Sequence, residues 1–177
     1  MLGGAAGAAA SIALLCYVLF RQGRSLRRLS VAPRWSDIPV SYVLLLLTFL
    51  PSFVAFFLLS RRGFAGMELH PDRALGGVLR IRPFMALAYL VLAAKEELIV
   101  HAYLISEVLD LTGDAFLAVA ASVVFQTLYH LYQGTQGALI LAGFFLVSSI
   151  YYVIYRRVTP LIVAHFFHNI LVHGYFH

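Results

Sequence analysis

Three short stretches carry side chains whose types and spacing could do chemistry. The first is Lys95-Glu96-Glu97-Leu98-Ile99-Val100-His101. Successive helical residues point about 100° apart, so Glu96 and Glu97 face different ways. Glu97 and His101 are four apart and share a face. Carboxylates in an apolar run are costly unless they are paired or face a polar interior. A glutamate placed there is a candidate general base. The second stretch is Phe125-Gln126-Thr127-Leu128-Tyr129-His130-Leu131-Tyr132-Gln133-Gly134. Its His130 can accept a proton, bind a metal or donate a hydrogen bond. The third is His165-Phe166-Phe167-His168-Asn169. His165 and Asn169 can address one point and donate to a developing oxyanion, and His168 partly shares their face.

Each stretch also has a purely structural reading. The glutamates can mark a solvated helix end. His130 can sit in an interfacial aromatic belt between Tyr129 and Tyr132. His165 and Asn169 can be polar glue between helices. A base, histidines and an oxyanion donor on three separate segments nevertheless make a functional-site pattern together. His173 and His177 read as interfacial, and His70 as an ordinary loop residue.

The elements that must position these residues are apolar. The chain is 62% hydrophobic and 12% charged, against about 45–50% and about 25% for a soluble domain. That excess exceeds what one soluble core of this size can bury, and it predicts an all-α, polytopic membrane helix bundle. The net charge is +5, and the arginines cluster at the ends of apolar runs. This placement suits a lipid bilayer with anionic headgroups and argues against nucleic acid. The single cysteine, Cys16, precludes an intrachain disulfide. About six transmembrane helices are expected, over residues 2–20, 39–59, 84–109, 115–132, 138–155 and 160–175. No basic residue precedes the first run; Arg21, Arg24, Arg27 and Arg28 follow it. This predicts a retained span and not a cleaved signal.

Boundary signals accompany the runs. Asp37 is expected to cap the second helix, Pro39 to lie in its first turn and Pro51 to bend it. Gly113-Asp114 and the Gly134/Gly137 pair mark turns, and Arg156-Arg157 close the fifth helix. Thr159 is expected as N-cap of the sixth, ahead of Pro160. The stretch 61–83 reads as a loop with a short interfacial helix. One membrane domain over 1–177 is expected. Its first part, 1–83, holds two N-terminal transmembrane helices and a basic loop, and a core follows over 84–175.

Over that core the chain resembles the CPBP family of intramembrane proteases, which includes the CAAX prenyl endopeptidases. Those proteins carry Glu-Glu-x-x-x-Arg, Phe-x-x-x-His and His-x-x-x-Asn or His-x-x-x-Asp on successive helices. Here the order is Glu96-Glu97-x-x-x-His101, a helix ending in His130, and His165-x-x-x-Asn169. Two departures stand out. His101 occupies the place of the arginine and is shorter and not permanently charged. Gln126, not phenylalanine, lies four before His130, and Phe125 is one earlier.

The resemblance implies an endopeptidase acting inside a membrane, of bacterial style and in a bacterial cytoplasmic membrane. Its substrate would be a membrane-embedded or membrane-anchored peptide, processed in the CAAX manner or as a bacteriocin or sorting signal. Glu96 would activate water with help from His130. His165 and Asn169 would stabilise the oxyanion, and Glu97 and His101 would orient the first motif. No cofactor is required by that scheme, although Glu96, His130 and His165 are the set that a divalent metal such as zinc would use. Two other readings use the same residues. A non-catalytic immunity or scaffold protein on this fold follows if His101 abolishes the chemistry. A histidine-ligated membrane haem protein would use His130 with His165 or His168, and would leave both glutamates idle.

Overall fold

The computed structural model describes residues 2–25, 29, 31–61, 76 and 78–176. Among them the regular structure is entirely helical. Helix α1 is Leu2–Arg21 and α2 is Asp37–Arg61. A long third rod is built from three pieces: α3 (Pro83–Glu96), a π-helical segment (Glu97–Ile105) and α4 (Ser106–Thr112). Helix α5 (Ala115–Tyr129) tightens into a 3₁₀ turn, His130–Gln133. Helices α6 (Thr135–Tyr155) and α7 (Thr159–Phe176) complete the chain. The expected loop over 61–83, with His70, and the terminal His177 lie outside the described residues.

The six expected runs are all present as helical rods. Among the described residues, four stretches are long and apolar enough to cross a membrane: Gly3–Arg21, Asp37–Leu59, Ala115–Gln133 and Thr135–Tyr155. The third rod and α7 hold the glutamates and most of the histidines. They pack inside the same bundle, α3 against α1 and α7, and α7 against α2. Helix α6 lies between α2 and α5. The exposed residues are themselves apolar, among them Leu46, Leu50 and Phe53 of α2 and Val124 and Leu128 of α5. An outside made of leucine and phenylalanine fits hydrocarbon and not water. The chain is an integral membrane protein with an all-α helix-bundle fold.

Local chemistry sets the ends of these rods. Gly113 adopts φ 68° and closes α4, a left-handed conformation that glycine adopts without strain. Asp114 caps α5, its Oδ1 accepting from the backbone N–H of Phe116 at 2.8 Å and of Leu117 at 3.1 Å. Gly134, at φ 88°, makes the turn into α6. Arg156 ends α6 at φ 53°. Its guanidinium donates to Ser106 Oγ at 3.2 Å and lies over the Tyr152 ring, which supports a conformation unusual for a residue with a Cβ.

Three sequence expectations need correction. Asp37 does not cap forward: its Oδ2 reaches back to accept from Arg34 N–H at 2.8 Å, and its Oδ1 pairs with Arg157 at 2.5 Å. It acts as the acidic partner of a capping box does, from inside the first turn. Thr159 is not the N-cap of α7. The carbonyl of Val158 accepts the first bond, from Ile162 N–H at 3.0 Å, and Thr159 Oγ1 is buried with no partner. Gly137 is not a turn residue; it is buried inside α6.

Candidate active site

The break from α-helix to π-helix falls between the two glutamates. Glu96 is the last residue of α3, and Glu97 the first of the wider π segment. A π turn hydrogen-bonds i to i+5 and is a recurrent device at functional sites. Here it accompanies a division of the two carboxylates. Glu96 is partly exposed at 16% and faces a cavity, whereas Glu97 is fully buried at 0%.

Glu97 is the hub of the buried side. Its Oε2 lies 2.6 Å from His101 Nδ1, and its Oε1 accepts from His165 Nδ1–H at 2.7 Å. A carboxylate with one oxygen hydrogen-bonded by His165 and the other in ion-pair contact with His101 is a compensated buried charge, which satisfies the condition for placing it there at all. On the far side of His101, Nε2 lies 3.2 Å from Ser149 Oγ and 3.4 Å from Gln126 Nε2.

Glu96 is the hub of the open side. His130 stands where α5 passes into the 3₁₀ turn, and its Nδ1–H donates to the Gln126 carbonyl at 2.8 Å. That bond turns Nε2 towards Glu96 Oε2, 3.9 Å away. His165 Nε2 lies 3.7 Å from the same oxygen. Both separations exceed a direct hydrogen bond. Lys95 Nζ sits 3.3 Å from Glu96 Oε1, donates to Tyr129 Oη at 3.3 Å and lies over that ring.

Glu96, His130, His165, His168 and Asn169 line one cavity of about 270 Å³. Asn169 is one turn beyond His165, so the two polar side chains of α7 share that wall. His168 is held between the rings of Phe49 and Phe144, at centroid distances of 5.2 and 4.8 Å. The bundle thus brings His101, His130 and His165 to Glu96 and Glu97, and places His168 and Asn169 on the cavity that Glu96 lines. His173 Nδ1 is 3.0 Å from Oη of Tyr89, a residue of the cavity wall, and this contact ties α7 to α3.

Residues 79–171, more than half of the chain, match the family described as type II CAAX prenyl endopeptidase Rce1-like. The chain belongs to this family. It is an intramembrane protease of the CAAX type, and its substrate is a membrane-associated peptide. The haem-protein reading is thereby set aside. The matched stretch contains all the motif residues, from Glu96 to Asn169, and begins beyond α1 and α2. Comparison with curated proteins and with solved structures gives no match.

Among the described residues, no three His, Cys, Asp or Glu side chains are grouped so as to hold a metal ion.

Sequence reasoning missed Tyr89, Ser122 and Ser149. Ser122 and Gln126 are an i, i+4 polar pair on an otherwise apolar helix, and Ser148-Ser149 interrupt another. That pattern was the available signal. Nothing local in the sequence marks Tyr89.

Proposed function

We propose that this Rce1-like protease cleaves its membrane-anchored peptide with a water activated by Glu96. The observation that carries the reading is the spacing around Glu96 Oε2. Two imidazole Nε2 atoms stand 3.7 and 3.9 Å from it at the wall of a cavity. Polar groups held just beyond direct bonding distance are spaced for one water between them. His130 is committed through Nδ1–H to a backbone carbonyl, which leaves the Nε2 lone pair to accept from that water. Glu96 takes the proton as the water oxygen bonds to the scissile carbonyl carbon.

The carbonyl oxygen then carries the negative charge. His165, protonated on both nitrogens beside the ionised Glu97, donates Nε2–H to it, and the Asn169 amide donates from the next turn. Glu97 plays the part that a buried acid plays behind a catalytic histidine: it fixes the ring and stabilises its charge. When the intermediate collapses the C–N bond breaks, and Glu96 returns its proton to the leaving amine. One water is consumed, and a carboxylic acid and an amine are released, the acid then giving its proton to the amine or to solvent. No cofactor enters. The motif set fits a bacterial cytoplasmic membrane, where prenylated and unprenylated anchors are both candidate substrates.

The test uses purified protein in micelles, with a farnesylated CAAX peptide and an unprenylated single-span peptide as probes. Cleavage is followed by mass spectrometry for wild type, Glu96→Ala, His130→Ala and His165→Ala, each checked for folded yield. Loss of cleavage in all three at normal yield is expected. Undiminished cleavage in all three would sink the assignment. An unchanged biological phenotype with Glu96→Ala would favour a scaffold role instead.

A further inference from the structure

Behind the proteolytic site lies a second polar group that the chemistry above does not use. Ser149 Oγ of α6 is 3.2 Å from His101 Nε2, and its hydroxyl donates to Ser122 Oγ of α5 at 2.9 Å. The Gln126 amide donates to the same Ser122 oxygen at 3.3 Å. Ser122, Ser149, His101 and Glu97 are all 0% exposed, and Gln126 is 2% exposed.

The order Ser149, His101, Glu97 has the connectivity of a nucleophilic triad, at 3.2 and 2.6 Å. It cannot act as one, because none of the three lines the cavity and each is sealed inside the bundle. What such a chain can do is orient a ring. His101 has one nitrogen against Glu97 and the other against a hydroxyl, so its plane is held from both ends. Glu97 has one oxygen against His101 and the other against His165. A rotation of the His101 ring therefore moves Glu97, and Glu97 sets the direction of His165 Nε2. A guanidinium presents several donors in a rigid fork. The imidazole presents two nitrogens and needs a partner on its second side to hold one orientation.

We infer that Ser149 and Ser122 are positioning residues of the proteolytic site, which act through His101 and Glu97 to aim His165 at the cavity. The inference rests on the reading of Glu96, His130 and His165 as the hydrolytic site. It differs from a simple gluing of α5 to α6. Glue affects stability alone, whereas a positioning chain affects the chemical step and leaves substrate binding intact.

The experiment compares wild type, Ser149→Ala and Ser122→Ala in micelles, with the farnesylated peptide as substrate and ¹⁵N-histidine labelling for imidazole resonances. Ser149→Ala should lower kcat about tenfold, as expected for one lost bond, with KM within about twofold. It should also move the ring resonances of both His101 and His165. Ser122→Ala, one bond further away, should do the same more weakly and serves if Ser149→Ala does not accumulate. Ser149→Thr, which keeps the hydroxyl, should recover most of the rate. An unchanged kcat, or His165 resonances that do not move when those of His101 do, would overturn the inference. Failure of the hydrolytic reading shows separately, as wild-type cleavage that persists in Glu96→Ala, while the resonances still report whether the chain is coupled.

Discussion

The sharpest consequence of the geometry is that the adjacent glutamates should fail in different ways. Consider Glu97→Gln. The carboxylate offers two acceptor oxygens to two imidazoles, at 2.6 and 2.7 Å. The amide has the same shape but offers one oxygen, and its NH₂ must face the other ring. One charge-assisted contact, worth about 1.5–3 kcal/mol, is lost, and a donor is set against a donor in a site with no solvent. The fold should lose roughly that stability. A misaimed His165 should slow the chemical step about 100-fold, equivalent to about 2.7 kcal/mol of barrier. Glu96→Gln removes the proton acceptor instead and should lower kcat by about 10²–10⁴. Its carboxylate is partly exposed, with Lys95 at 3.3 Å and the two imidazoles beyond direct bonding at 3.7 and 3.9 Å, so stability should change by no more than about 1 kcal/mol. Initial rates from peptide cleavage, together with thermal unfolding by circular dichroism, separate the two. A Glu97→Gln protein that unfolds and turns over like wild type would refute the reasoning. So would a pair of variants in which Glu96→Gln loses the stability and Glu97→Gln loses only rate.

Three more outcomes follow from particular contacts. Asn169→Ala should lower kcat about 100-fold with little change in KM, as removal of one oxyanion donor does, and steady-state kinetics would show it. Arg157→Met should leave Asp37, only 3% exposed, without its ionic partner. A loss of roughly 3 kcal/mol is expected from broken buried pairs, and Asp37→Asn in the same chain should restore most of it. At Gly143 an added Cβ would sit 2.8 Å from Pro51 Cβ and 3.1 Å from its backbone carbon. Gly143→Ala should therefore force α2 and α6 apart and lower the unfolding temperature by the equivalent of about 1–3 kcal/mol, without altering KM at permissive temperature.

Much of the bundle was legible in the chain. Runs of apolar residues about 20 long, ended by arginines or by Gly-Asp and Gly turns, place helices because hydrocarbon leaves the backbone no other way to satisfy its hydrogen bonds. The capping residues were less legible. Asp37 carries the right chemistry for a forward cap, yet Arg157, 120 positions away, gives its carboxylate a stronger partner. Thr159 lost its expected role because Val158 already accepts the first helical bond.

The residue types of the site were also visible in sequence. Polar and ionisable groups are rare inside spans, so Glu96, Glu97, His130, His165 and Asn169 stand out by position alone. Which glutamate faces the cavity was beyond the reach of that reasoning. An α-helical wheel separates neighbours by about 100° without saying which direction is inward. The answer depends on the π segment that begins at Glu97 and on the helices packed against it. The same holds for Ser122 and Ser149, which stand 27 positions apart on different helices and meet only when α5 packs on α6. Sequence by itself determined the elements and the inventory of reactive groups, because periodicity and polarity are local. Tertiary structure alone decided the pairing, because the distance between groups on separate helices is set by packing and is encoded in no single segment.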